Sequence, residues 1–374
     1  MPQNTNMTQH PFMQQALALA HQAVGLSEPN PRVGCVIVSA DGALVLGQGH
    51  TQRAGEAHAE VMALRDAAEK RHSVVGATAY VTLEPCAHHG RTGPCCDALA
   101  AAGIGKVVAA LADPNPLVGG QGVARLQAAG VQVEVGPGAA DSRELNIGFF
   151  SRMVRCTPWL RMKIAASLDG KTALDNGASQ WITSEAARAD GHAWRARAGA
   201  VLTGIGTLLE DNPRLDVRLA TARRQPDAVV VDSRLETPPK ANVFGAARRV
   251  FIYAAVQDPQ RQAALEARGA TVVCLPGPGG KVDLAAMLRD LAQREINELH
   301  VEAGHKLNGS LIREGLVDEL LVYLAPKLVG QGRQMAHFGP LADLAEVVAF
   351  EFLSSDRVGP DLRLIARIPG RDKF

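Results

Sequence analysis

Apolar residues recur along the chain in two rhythms, at the spacing of a helical turn and in the short runs that suit strands, and the two alternate from end to end. After a polar stretch through His10, Phe12 to Val24 predicts a helix and Val33 to Val38 a strand. Asp41-Gly42 predicts a hairpin turn, with Leu44 to Gly49 as the returning strand. His58 to Ala68 is rich in good helix formers, Thr78 to Leu83 reads as a strand, and Cys95 to Ala102 starts a helix behind Pro94. Strands over Lys106 to Leu111 and Val131 to Val135, and helices over Gln121 to Ala129 and Asp141 to Val154, complete a first set. That alternation predicts one sheet with helices on both faces.

A chain of 374 residues is long for one core. The expected boundary is Cys156-Thr157-Pro158, because the residue before a proline disfavours continued helix, giving domains 1–155 and 156–374. Beyond it, Leu160 to Ala165, Ala200 to Thr203, Ala228 to Val231, Val250 to Tyr253, Thr271 to Leu275, Leu299 to Glu302 and Glu319 to Leu324 are mostly apolar runs between helical stretches. Such runs suit a central sheet covered on both faces, which binds ligands beyond the carboxyl ends of its strands. Ser167, Gly204, Ser233 and Gly304 fall at those ends. No Gly-x-Gly-x-x-Gly follows a strand, so a standard dinucleotide-binding reading is weak. Lys163 and Glu302 are charges within or at the end of apolar runs, where an unpaired charge is costly, which favours a functional role or mutual pairing.

The first half carries a more specific signal. His58-Ala59-Glu60 is followed by Glu84-Pro85-Cys86 and Pro94-Cys95, with eight residues between the two cysteines. A catalytic zinc takes three nitrogen and sulfur ligands and keeps a fourth position open, so His58, Cys86 and Cys95 are the expected ligands. Glu60 is then the base. Zinc lowers the pKa of a bound water to about 7, and a neighbouring carboxylate can take its proton and deliver it to a leaving group. Two helix N-termini should face the site and favour thiolate. Taken singly, a cysteine is usually a small core hydrophobe, a histidine a hydrogen-bonded core residue, and Cys86 with Cys95 could form a disulfide. Their joint placement at the ends of regular elements favours the metal. Cys35 is expected in the core, and Cys96, Cys156 and Cys274 have no partner pattern.

The zinc nucleobase deaminases carry His-x-Glu and then Pro-Cys-x-x-Cys, and this chain departs from them in its longer cysteine spacing. Asn30-Pro31-x-Val33-Gly34-Cys35, His58-Ala59-Glu60 and Thr82-Leu83-Glu84-Pro85-Cys86-x-His88-His89-Gly90-Arg91-Thr92-x-Pro94-Cys95 together closely resemble the bifunctional deaminase/reductase family of riboflavin biosynthesis. Gly93 and Ala87 stand where that family often has Pro and Ser. The resemblance continues through Lys163-x-Ala165-x-Ser167-Leu168-Asp169-Gly170, Ser179-Gln180-Trp181-Ile182-Thr183, Thr207-x-x-x-Asp211-Asn212-Pro213, Val231-Asp232-Ser233 and Val301-Glu302-Ala303-Gly304, covering almost the whole chain.

The resemblance implies an α/β protein, with an N-terminal cytidine-deaminase-like α/β/α domain followed by a dihydrofolate-reductase-like α/β domain. It implies one zinc ion per chain and NADPH. Deamination of a phosphoribosylated diaminopyrimidinone would precede reduction of its ribosyl side chain to ribityl. Ala165, Trp181, Thr207, Asp211, Ser233 and Gly304 would contact the cofactor, with Lys163, Ser179, Arg195, Leu215, Arg218 and Glu302 around the substrate. In the deaminase half, Asn30, His50, His88 and Arg91 would recognise the substrate. Guanidinium groups suit a ribose phosphate, and Arg234 is a candidate for the 2′-phosphate of NADPH.

Charge narrows the partners further. The 39 basic and 38 acidic side chains give a net charge of +1, so no overall basic field attracts nucleic acid or a membrane. An aromatic content of 4% leaves few platforms for stacking single-stranded bases, which argues against a nucleic-acid-editing deaminase. A binding module with a structural zinc would need a fourth protein ligand, and only an inward turn of Cys96 or His88 would supply one. Met1 to His10 lacks a signal pattern and no run of 18 apolar residues occurs, so a cytoplasmic enzyme is expected, and the resemblance implies a homodimer acting on a small molecule. Leu311 to Leu316 is apolar enough to serve as interface or core.

Overall fold

The computed structural model describes residues 10–88, 93–116 and 118–374. They form two compact units, one ending at Arg155 and one beginning at Cys156.

The first unit runs α1 (Pro11–His21), β1 (Gly34–Val38), β2 (Val45–His50), α2 (Ala59–Glu69), β3 (Thr78–Val81), α3 (Cys95–Ala101), β4 (Lys106–Ala109), α4 (Gln121–Ala128), β5 (Gln132–Val135), α5 (Ala139–Leu145) and α6 (Ile147–Arg155). Its sheet has the order β2-β1-β3-β4-β5, antiparallel around β1 and parallel from β3 to β5. Successive residues of a strand face opposite ways. Val36 and Val38 accordingly meet Met13 and Leu17 of α1, while Cys35 and Ile37 meet a cluster containing Ala63 of α2, Leu99 of α3 and Leu126 of α4. Both faces of β1 are therefore covered, and all five of its residues are buried.

Two glycines set how closely α2 approaches. A Cβ at Gly47 would lie 2.2 Å from the carbonyl oxygen of Ala63, and one at Gly49 would lie 2.8 Å from that of Ala59. Nothing larger than hydrogen fits between this helix and β2.

The helix expected over Asp141 to Val154 is two helices, broken at Asn146. The reason is side-chain competition for backbone groups. Asn146 Nδ2 donates to the carbonyls of Arg32 and Ser142, and its Oδ1 accepts the N–H of Arg32 at 2.7 Å. This anchors the segment that follows Asn30.

The second unit runs β6 (Trp159–Ser167), β7 (Lys171–Leu174), α7 (Glu185–Arg197), β8 (Ala200–Gly204), α8 (Ile205–Asp211), β9 (Asp227–Val231), β10 (Val250–Ala254), α9 (Pro259–Glu266), β11 (Ala270–Cys274), α10 (Leu284–Gln293), β12 (Glu298–Val301), α11 (His305–Arg313), β13 (Glu319–Ala325), β14 (Gly332–Gln334), β15 (Glu351–Val358) and β16 (Asp361–Arg367). Nine strands form one sheet, β11-β10-β9-β8-β12-β6-β13-β16-β15, parallel as far as β13 and antiparallel beyond it. Leu202, Val229 and Phe251 face α10 and α11 on one side, and Val201, Val230 and Ile252 face Leu208 and Leu265 on the other. Leu311 belongs to the core, with Ile312 and Leu316 packed against it.

At the amino ends of the central strands, buried Arg161 pairs with Glu298 and Glu319, and Arg367 also pairs with Glu319. Such a cluster is stabilising only while every charge keeps its partner. The opposite, carboxyl ends of the strands carry the cleft.

Candidate active sites

His58 is the N-cap of α2, with extended backbone (φ −76°, ψ 167°), and Cys95 is the first residue of α3. Cys86 follows the end of β3. His58 Nδ1 lies 3.3 Å from Cys95 Sγ and 3.6 Å from Cys86 Sγ, and all three ligand atoms fall within 4.8 Å of one another. Ligands at ordinary Zn–S and Zn–N distances in a tetrahedron stand about 3.5 Å apart, so the residues fit zinc. Hydrogen bonding with Cys95 and with His58 draws the Cys86 thiol down toward thiolate, while hydrogen bonding with Cys86 and burial hold the Cys95 thiol up, so the pair shares one proton that a bound metal would displace. The backbone N–H of Cys95 also donates to Cys86 Sγ at 3.4 Å.

Glu60 sits in the first turn of α2 and is buried. Burial, reinforced by the neighbouring Cys86 thiolate, pushes its carboxyl up to about 7. A carboxyl poised there can both accept and return a proton near neutral pH.

Around this centre, Asn30 is half-buried, with its backbone bonded to Ser27. His50 ends β2, its Nδ1 near the Thr51 carbonyl and the Gln52 amide. His88 is exposed, and Arg91 lies outside the described residues. Cys96 is buried and turns to Asp97, away from the ligand set.

A role that the motif alone does not disclose belongs to Glu84. Its buried carboxylate accepts three backbone N–H groups, from Asp113 at 2.9 Å, Gly120 at 2.9 Å and Val123 at 3.0 Å. An acidic residue inside an apolar run was the available signal. Its partners are supplied only by the tertiary fold.

In the second unit, Lys163, Ala165, Ser179, Thr207, Asp211, Glu302 and Gly304 line one open cleft at the carboxyl ends of β6, β8 and β12. His305, Asn308 and Arg333 line it too and were not anticipated. Trp181, Arg195, Leu215, Arg218 and Ser233 are not among its walls. Trp181 is 60% exposed, with the Arg188 guanidinium 4.4 Å above its ring. Leu215 is buried, Arg218 pairs with Asp216, and Ser233 Oγ accepts the N–H of Val282 at 3.3 Å. Arg234 is exposed beside Ser233.

Glu302 makes its ion pair with Arg195, through both carboxylate oxygens, rather than with Lys163. Burial works to raise the Glu302 carboxyl, but Arg195 and Lys163 overrule it and hold the group well below the usual range. Burial and Arg195 conversely lower the ammonium of Lys163, against the pull of Glu302. The cleft thus presents one cation with a weakened hold on its proton beside a firmly ionised carboxylate.

Known proteins share both halves. Residues 7–111 match the cytidine and deoxycytidylate deaminase zinc-binding region, and residues 158–364 match the RibD C-terminal domain. The chain is 44% identical to riboflavin biosynthesis protein RibD of Escherichia coli (strain K12), across 94% of this chain and 97% of that protein. It is 39% identical to riboflavin biosynthesis protein RibD of Aquifex aeolicus (strain VF5), across 94% and 96%. The structure of Acinetobacter baumannii RibD superposes with a TM-score of 0.86 at 40% identity, covering 95% of this chain and 97% of that one. A diaminohydroxyphosphoribosylaminopyrimidine deaminase/5-amino-6-(5-phosphoribosylamino)uracil reductase from Thermotoga maritima gives 0.84 at 31% identity, covering 96% and 97%.

Proposed function

The chain belongs to the RibD family, bifunctional deaminase/reductases of riboflavin biosynthesis with a zinc-binding deaminase domain and an NADPH-dependent reductase domain, and on that premise we propose the substrate and the residues that act on it. The substrate is the phosphoribosylated diaminopyrimidinone, which residues 1–155 deaminate to the uracil and residues 156–374 reduce at the sugar. The observation that carries the reading is the placement of His58, Cys86 and Cys95 at zinc-ligand spacing beside the buried carboxyl of Glu60.

His58, Cys86 and Cys95 hold the zinc, which when bound acts as a Lewis acid on water. Glu60 takes a proton from the attacking water and returns it to the amino group that leaves as ammonia, the double duty for which its raised pKa is suited. Asn30, His88 and Arg91 recognise the pyrimidine and its phosphoribosyl group.

In the reductase, Ala165, Trp181, Thr207, Asp211, Ser233 and Gly304 contact NADPH. Gly304 caps α11, whose free N–H groups suit a phosphate. Arg234 supplies a cation for the 2′-phosphate. Lys163, Ser179, Arg195, Leu215, Arg218 and Glu302 surround the substrate, with Arg218 toward its phosphate and Lys163 near the reacting sugar. NADPH supplies the hydride; the protein supplies position and charge.

Among the described residues no helix is long and apolar enough to cross a membrane. Phe352, 72% exposed on the edge strand β15, offers apolar surface for the expected homodimer. A coupled assay tests the whole reading. Ammonia should be released from the diaminopyrimidinone without NADPH, and added NADPH should then be oxidised. Ammonia without NADPH consumption would refute the reductase assignment, and no ammonia would refute the deaminase substrate.

A further inference from the structure

The segment 213–218 has no regular structure, yet it is held with unusual completeness. Four consecutive carbonyls each accept a side-chain donor. Arg248 takes two of them, with Nη1 on Leu215 O at 2.6 Å and Nη2 on Arg214 O. Arg195 Nη1 donates to Asp216 O at 2.9 Å, and Gln225 Nε2 donates to Val217 O at 3.0 Å. Gln225 closes the ring by accepting the N–H of Val217 at 2.7 Å.

Two further contacts show that Arg248 serves the chain path rather than a countercharge. Nη1 also reaches Pro226 O at 3.3 Å and Nη2 also reaches Val243 O at 3.1 Å, so the two terminal nitrogens of one guanidinium span four carbonyls on three stretches of chain. Inside this grip Leu215 adopts φ +52°, a left-handed conformation that a leucine keeps only where its surroundings impose it. The same grip reaches the cleft, because the Arg195 that binds Asp216 O also holds both oxygens of Glu302.

We infer that Arg248 and Gln225 preset segment 213–218 as a rigid substrate-recognition loop of the reductase, acting as positioning residues for Leu215 and Arg218. This rests on the reading that Leu215 and Arg218 contact the substrate. A loop ordered beforehand spares binding the entropy of ordering it, so the effect falls on substrate affinity. Hydride transfer and NADPH affinity depend instead on the walls of the cleft, to which neither Leu215 nor Arg218 belongs.

Arg248→Lys keeps the charge, but a single ammonium cannot serve four spread carbonyls. Gln225→Ala releases Val217 and leaves the guanidinium in place. In the full chain, both should raise the reductase KM for the deaminated substrate about tenfold while kcat and the KM for NADPH stay within about twofold. Deaminase turnover, measured on the same preparations, should be unchanged. Arg218→Ala is the companion variant. If it raises substrate KM and the other two do not, the positioning role is overturned and the substrate reading stands. If Arg218→Ala leaves KM unchanged, the reading beneath it falls as well. A fall in kcat with loss of NADPH affinity and a lowered melting temperature, in place of the selective KM change, would show a merely structural clamp and overturn the inference. Should Arg248→Lys fail to fold, Gln225→Ala decides by the same criteria.

Discussion

The carboxylate of Glu84 accepts the backbone N–H of Gly120 at 2.9 Å, across 36 residues of sequence. It ties the segment carrying Cys86 to the start of α4, where Gly122 lies so close that a Cβ would stand 2.0 Å from the Pro85 carbonyl oxygen. Glu84→Ala strands three N–H donors and should destabilise the deaminase unit by about 3 kcal/mol. Zinc affinity should weaken with it, because the segment bearing Cys86 loses its anchor. Chelator competition and thermal unfolding measure both, and unchanged zinc affinity would confine Glu84 to fold stability.

Glu60→Gln should retain zinc and lose deamination by about a thousandfold, since an amide cannot shuttle the proton. NADPH oxidation with the deaminated substrate should persist. Zinc content and ammonia release, measured together, check the assignment; loss of metal in this variant would make Glu60 a ligand.

Cys95→Ser, or removal of metal from the native protein by a chelator, should bring ammonia release to background. Reductase turnover on the deaminated substrate should be unaffected, because the ligand set lies wholly in the first unit. A parallel loss of both activities would show that zinc also supports the reductase.

Glu302→Gln should destabilise the second unit by about 3 kcal/mol at neutral pH, leaving Arg195 without its countercharge. The native carboxyl is depressed below its unfolded value of about 4.3, so its contribution is fully present above that pH and is lost as pH falls through the folded pKa. The difference in melting temperature between native and variant should therefore narrow below about pH 4. A gap that stays constant through this range would show that the ion pair contributes nothing.

Legibility differed from element to element for physical reasons. His58, Cys86 and Cys95 stand out because few residue types bind zinc, and Pro94 marks a helix start beside one of them. Val33 to Val38 stands out because a strand covered on both faces is apolar throughout. Glu351–Val358 does not: Ser354-Ser355-Asp356-Arg357 lies in an edge strand, where polar residues are the rule and mimic a loop. The ribbon of β7 with β14 is too short to set up any period. Asn146 breaks a helix through bonds to Arg32, 114 residues away, which no local pattern can announce. In the reductase, isolated residues such as Lys163 and Glu302 betray themselves as charges among apolar neighbours. Arg248 is one arginine among many along the chain, and its work shows only in the carbonyls around it.

At Gly47 and Gly49 the helix that carries His58 and Glu60 rests on bare main chain. A side chain in that seam could turn to another rotamer and yield; main chain can give way only if the strand itself moves. The height of the histidine above the sheet is thus a fixed dimension of the scaffold, like a bearing seated without a shim. Exposed positions on the far side of the helix, such as Arg65 and Glu69, are free to drift through generations of substitution while the catalytic spacing stays in gauge.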